Sequence, residues 1–269
     1  MSRREFSLVL PAFNSAAYIG DHVARATRFF ETAGIDGEVV VADDGSTDGT
    51  ADAVPDAPDV RVLRLPHRGK GHALRRGMTQ ASGMIRGFTD ADLPYGLDPI
   101  PFAMRWIREN HYHAVIGDRT LPGSRYESAG VGRTVLSELA SFTFRTMVTG
   151  GIYDTQCGFK MFRGDVAAEL FRLARVDGFS IDVELIYLIL KNRLDLKRIP
   201  VVLEDNGPSS VRVVRDSVTA MREVSSIRMN QARGRYRSPR LVDILREDSR
   251  LEIQEVQAAR RDRRAGDQP

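Results

Sequence analysis

Four short apolar runs, each ending in a cluster of polar residues, constrain this chain more than any other feature. Residues 6–10, 38–42, 60–65 and 84–88 are dominated by Val, Leu, Ile and Phe and read as buried strands. The segments between them carry helical spacing instead. Ile19, Val23, Ala26 and Phe30 share one face before a stop at Gly34, and Leu74, Gly77, Met78 and Ala81 share another before Gly83. Asp98 followed by Pro99 marks a third helix start, with Ile100, Ala103, Met104 and Ile107 as its stripe and residues 114–117 as the next strand. Strand and helix in alternation predict an α/β fold, a mostly parallel sheet with flanking helices. Beyond it, residues 134–148, 166–174, 183–191 and 216–232 predict helices and residues 197–203 a strand. The expected organisation is a single domain over residues 1–235 and a charged, helical or frayed tail over residues 236–269.

Composition removes several classes. An apolar fraction of 42% is ample for a core, and the longest unbroken apolar stretch, residues 185–190, is far shorter than the roughly 20 residues of a membrane-spanning helix. The N-terminus lacks the pattern of a signal peptide, so cytoplasmic residence is the expectation. Cys157 is the single cysteine, which excludes an internal disulfide and a cysteine zinc site and reads as a small buried hydrophobe.

Ligands of open α/β sheets bind beyond the carboxyl ends of the strands. Here those ends read Pro11-Ala12-Phe13-Asn14, Asp43-Asp44-Gly45-Ser46-Thr47-Asp48-Gly49, His67-Arg68-Gly69-Lys70-Gly71 and Asp90-Ala91-Asp92. Two carboxylates one residue apart repel unless a cation lies between them. Mg2+ or Mn2+ is held in this way by one or two carboxylates and substrate phosphates. No Gly-x-x-x-x-Gly-Lys-Ser/Thr loop and no Gly-x-Gly-x-x-Gly turn after the first strand is present, which disfavours P-loop nucleotidases and dehydrogenases.

Taken in order, these motifs resemble the inverting family 2 glycosyltransferases of the GT-A (Rossmann-like) fold. Asp154-Thr155-Gln156-Cys157-Gly158-Phe159-Lys160 and Phe179-Ser180-Ile181-Asp182-Val183-Glu184-Leu185 resemble the polyprenyl-phosphate branch, above all the dolichyl-phosphate β-glucosyltransferases. The resemblance implies that Pro11, Ala12, Phe13, Asn14, Asp43 and Asp44 hold the nucleoside and that Lys70, Gly71, Asp90 and Ala91 line the donor pocket. It implies Asp90 and Asp92 as the metal carboxylates, with Mg2+ or Mn2+ as cofactor. Arg119, Asp154 and Asp182 are the implied catalytic residues. Arg133, Lys160, Arg212 and Arg215 are implied to meet the acceptor or its phosphate. Asp182 reads equally well as a first-turn carboxylate favoured by the helix dipole. Ser15 stands where the family usually has glutamate, and His67 where it usually has asparagine.

The expected reaction moves a hexose, glucose, from a UDP-linked donor to a polyprenyl or dolichyl phosphate. Two alternatives stay open: the same fold acting on a soluble small-molecule acceptor, and a nucleotide-sugar-binding module without turnover. Residues 212–240 hold eight arginines against Asp216 and Glu223, a net charge of +6. That suits either an anionic membrane face, met peripherally, or a solvated arginine-rich surface. Nucleic acid is not an expected partner.

Overall fold

A computed structural model describes residues 4–124, 154–155, 157–204 and 213–266, the side chains of 213–221 and of most of 252–266 excepted. The expected helix over residues 134–148 lies outside the described residues. By its contacts the chain divides into two compact units, Met1–Tyr236 and Arg237–Pro269.

The larger unit is built on a seven-stranded sheet. Its strands are β1 (Phe6–Ala12), β2 (Gly37–Asp43), β3 (Val60–Arg64), β4 (Ile85–Phe88), β5 (Ala114–Asp118), β6 (Lys160–Arg163) and β7 (Leu196–Pro200), in the order β3-β2-β1-β4-β6-β5-β7. All pairings are parallel except those of β6, which runs antiparallel to β4 and β5. Every residue of β2 is buried, as expected of a parallel strand covered on both faces. The helices are α1 (Ile19–Ala33), α2 (Lys70–Gln80), α3 (Pro99–Glu109), α4 (Gly164–Leu173), α5 (Ile181–Lys191) and α6 (Val213–Ala232). The expected stripes of α1 and α3 are the buried ones, and Gly34 ends α1 at φ 65°.

Two local features differ from expectation. First, α2 stops at Gln80 instead of running to Gly83, because side chains of the sheet take the next amides. Ser82 N–H donates to Glu38 Oε1 at 2.7 Å and Gly83 N–H to Ser7 Oγ at 2.7 Å. Second, β6 was not expected as a strand. Four residues bounded by Lys160 and Arg163 offer no alternation to detect.

The smaller unit carries one helix, α7 (Pro239–Gly266), within the segment expected as a helical or frayed tail. Ser238 Oγ accepts the Leu241 amide at 3.1 Å and Pro239 occupies the first helical position, a pairing suited to a helix start.

Close approach of α2 to β1 requires a glycine. A Cβ on Gly77 would stand 2.4 Å from Val9 Cγ1. Gly77→Ala should therefore cost about 1–3 kcal/mol of stability through overpacking. A lower urea midpoint with unchanged slope is the expected result; an unchanged midpoint would contradict the packing.

Candidate active site

The carboxyl ends of β1, β2 and β4 open on one edge of the sheet, and the loops that follow are laced together by side chains. Asn14 holds a left-handed backbone at φ 50°, a conformation asparagine tolerates. Its amide donates to Ser46 Oγ at 2.9 Å, and its side-chain oxygen accepts the Thr47 amide at 3.0 Å. The Ser15 amide donates to Thr50 Oγ1 at 2.7 Å. Asp43, at the tip of β2, accepts the Ser46 amide and hydroxyl.

Asp44 turns inward. Its buried carboxylate accepts the amides of Arg68 and Gly69, at 3.0 and 2.7 Å, and meets His67 Nδ1 at 2.8 Å. It shapes the loop after β3. The His67 ring in turn stacks on Phe13, with centroids 4.2 Å apart and planes 16° from parallel. Phe13 is 46% exposed, so the pair offers a flat aromatic surface beside Pro11 and Ala12. His67 stood in a recognised motif, but nothing in its spacing indicated the stack.

Lys70 opens α2, and its position is set by the backbone that covers it. A Cβ on Gly69 would stand 2.6 Å from Asp177 O, and one on Gly71 would stand 2.3 Å from Val176 O. Only glycines admit that approach on either side of the lysine. Lys70 Nζ lies 2.7 Å from Asp90 Oδ1 and 3.3 Å from Asp182 Oδ2. Behind it, the wholly buried Lys160 places Nζ 2.5 Å from Asp182 Oδ1 and donates to Cys157 O at 2.6 Å. Burial pushes the Asp182 carboxyl up, but the two ammonium groups outweigh it and hold it below the usual carboxylate range. Burial likewise disfavours the charged Lys70, and Asp182 and Asp90 more than reverse this. The structure thus places Lys160 beneath the site, a correction to the expected phosphate contact: its ammonium is consumed by Asp182 and has no exposed surface.

Asp90 and Asp92 follow β4. Ala91 between them is buried, and its carbonyl meets His22 Nδ1 at 2.9 Å. Burial first, and then the charge of neighbouring Asp90, raises the Asp92 carboxyl above its ordinary value, so part of the shift is repulsion between the two carboxylates. A divalent cation relieves that repulsion. Among the described residues no three metal-ligating side chains converge; Asp90 and Asp92 would be the two carboxylates to hold a Mg2+ or Mn2+ ion, with phosphate oxygens and water completing its shell.

At the tip of β5, Arg119 grips Asp154. Nε and Nη2 donate to the two carboxylate oxygens at 2.8 and 2.7 Å, and the Arg119 amide donates at 2.7 Å. Burial pushes the Asp154 carboxyl up, but the Arg119 contacts prevail and it lies below its ordinary range. Tyr95 is buried close by, with its phenol pushed up first by burial and then by Cys157. The Cys157 thiol is also raised by burial, which suits a packing residue and not a nucleophile. Arg133 and Arg212 lie outside the described residues. Arg215 falls on α6, where only the backbone is described.

Residues 7–171 match the sequence model of Glycosyl transferase family 2. The chain belongs to that family. It is 27% identical over 254 residues to the dolichyl-phosphate beta-glucosyltransferase of Saccharomyces cerevisiae, spanning 86% of this chain and 76% of the relative. It is 32% identical to the Drosophila melanogaster protein of the same name, over 73% of this chain and 66% of that one. Among solved structures it resembles glucosyl-3-phosphoglycerate synthase of Mycobacterium tuberculosis in complex with uridine diphosphate. That likeness has a TM-score of 0.61 at 23% identity and covers 83% of this chain and 78% of the other. At that identity it is one of fold: this family 2 member has the GT-A arrangement of a mostly parallel sheet with flanking helices. Asp182 lies beyond the family match, and among the described residues no helix is long and apolar enough to cross a membrane.

The Arg119 pair makes a pH prediction. Because folded Asp154 titrates below its ordinary value of 3.8, its stabilisation is complete above that value and is lost as pH falls through the folded pKa. Urea unfolding between about pH 5 and 2 should show a steeper acid loss in the unaltered protein than in Asp154→Asn. Equal slopes would refute the pairing.

Proposed function

We propose that this family 2 glycosyltransferase transfers glucose, with inversion, from a UDP-sugar to the phosphate of a polyprenyl or dolichyl lipid. The observation that carries the acceptor class is the Arg119–Asp154 pair. A hydroxyl nucleophile needs a base, and Asp154, held by three hydrogen bonds and with a depressed pKa, is a poor one. A phosphate monoester has its second pKa near about 6 and is mostly dianionic at neutral pH, so it needs no base. It needs a cationic group to orient it, a role assigned here to Arg119 as aimed by Asp154. The names of the yeast and fly relatives support the same acceptor.

In this reading Pro11, Ala12, Phe13 and Asn14 hold the nucleoside with Asp43, and the Phe13–His67 stack offers the base a planar surface. Asp44 acts through the loop it organises. Lys70, Gly71, Asp90 and Ala91 surround the sugar diphosphate, and Asp90 and Asp92 hold a divalent ion. When bound, that ion supplies charge neutralisation for the leaving diphosphate. The acceptor phosphate, oriented by Arg119, forms the new bond to the anomeric carbon on the face opposite the bond that breaks, which inverts the centre. Asp182 and Lys160 fix Lys70 from behind. Arg133, Arg212 and Arg215 are assigned to the acceptor phosphate on sequence grounds. Arg222, Arg228, Arg233 and Arg235 are exposed together with Met229, which supports peripheral attachment to an anionic lipid surface.

Radiolabelled UDP-glucose, UDP-galactose and GDP-mannose, each with dolichyl phosphate or with phosphoglyceric acid, test the reading. Glucose from UDP-glucose should enter the lipid extract in a divalent-ion-dependent manner. Arg119→Met should cut that rate by about 10²- to 10³-fold. Transfer to phosphoglyceric acid and none to lipid would overturn the acceptor, and no UDP release with either would overturn turnover itself.

A further inference from the structure

We propose that the cleft between α2 and the end of α4 is a second anion site of this protein, one that takes a small phosphate monoester through Arg75, Arg76, Arg172 and Arg175. It shares no residue with the donor and acceptor sites assigned above and does not depend on that reading.

The cleft has a volume of about 360 Å³, at the low end of the range for small-molecule sites, and all four arginines line it. Like charges gathered in one cleft repel, so they persist there only with counter-charge at hand. Here two carboxylates serve four guanidinium groups. Arg75 pairs with Asp177 while its Nη1 donates to Val176 O at 2.8 Å. Arg172 forks onto Glu169, with Nε and Nη2 donating at 2.7 and 2.5 Å. Among the described residues no carboxylate pairs with the side chain of Arg76 or of Arg175, and both residues are exposed. The group is left with a formal charge of +2. The negative end of α4 favours Arg172 and Arg175, but it is worth only about half a charge and does not account for Arg76, which comes from another helix.

That excess selects the ligand. A phosphate monoester carries about two negative charges near neutral pH and three acceptor oxygens, so it matches the charge and can meet more than one guanidinium fork at once. Arg75 and Arg172, already oriented by their carboxylates, lose little freedom on binding it, and Arg76 and Arg175 supply the uncompensated charge. Arg175 and Asp177 belong to the backbone segment that also passes over Gly69 and Gly71. An anion bridging Arg76 and Arg175 therefore clamps that segment onto α2. The same phosphate chemistry is found on soluble metabolites and on lipid headgroups.

Methyl phosphate is the probe, followed by phosphorus NMR with saturating UDP and Mg2+ present, and dimethyl phosphate, a monoanion with one more methyl group, is the control. Methyl phosphate should bind saturably and about fivefold or more tightly than dimethyl phosphate. The double variant Arg76→Gln, Arg175→Gln should weaken it about tenfold or more, and Arg119→Met should leave it unchanged. Thermal unfolding checks that each variant folds; should the double variant fail, Arg76→Gln alone carries the test, with a loss of about threefold or more. Binding lost in Arg119→Met and kept in the double variant would place the anion at the acceptor site and overturn this proposal alone. No saturable binding, or equal affinity in the double variant, would reduce the four arginines to solvated surface charge and overturn it as well. Vesicles of phosphatidylcholine with phosphatidic acid separate the two sources. Stronger retention of the unaltered protein than of the double variant assigns a lipid phosphate, and equal retention with methyl phosphate binding intact assigns a soluble phosphorylated metabolite.

Discussion

Asp182 buried between two lysines is the interaction on which the site depends. Removing an ion from water costs several kcal/mol, and Lys160 has no exposed surface at all, so the cluster persists only because its charges are matched at hydrogen-bond distance. Four elements contribute to it: Lys70 from the start of α2, Asp90 from the loop after β4, Lys160 from β6 and Asp182 from the first turn of α5. Breaking such a set by removing one partner strands a buried charge, at a cost of about 3–5 kcal/mol. The cluster therefore ties segments distant in sequence to one geometry, and that geometry is the floor of the donor site.

The backbone of residues 174–178 provides the second constraint. It passes over Gly69 and Gly71 closely enough that only glycines fit, and the His72 amide donates to Asp177 O at 3.1 Å. That segment is anchored in its turn by Glu184, which is fully buried and accepts the amides of Arg175 and Val176 at 2.9 and 2.8 Å and the hydroxyl of Tyr236. Burial raises the Glu184 carboxyl despite those donors. Asp182 and Glu184, two residues apart on α5, thus divide the work. One neutralises the lysines and the other holds the strap that aims Lys70.

Much of this arrangement was legible in the chain because it follows from local chemistry. The stripe Ile19, Val23, Ala26 and Phe30 has helical spacing wherever it is placed, and the polar clusters at 11–14, 43–49, 67–71 and 90–92 mark strand ends because loops there need glycine and hydrogen-bonding side chains. Less legible were the residues whose roles come from partners far along the chain. Lys160 reads as a basic residue suited to phosphate, yet it neutralises Asp182. Asp44 reads as a twin of Asp43, yet it faces the loop after β3, and His67 gave no signal beyond its motif.

The short strand β6 shows where that division falls. Its register pairs Phe88 with Lys160, so Asp90, two residues beyond the first, meets Gly158, two residues before the second. An antiparallel pairing between segments some seventy residues apart leaves no periodic trace, so no reading of the chain by itself could bring that carboxylate and that glycine together. What the sequence determined was the inventory: an alternating α/β core and the charged and glycine residues at its strand ends, because spacing and turn chemistry are written in neighbouring residues. What the tertiary structure decided was which charge neutralises which, and so which carboxylates face a ligand, because Coulomb energy and desolvation depend on distance and burial in space and not on separation along the chain.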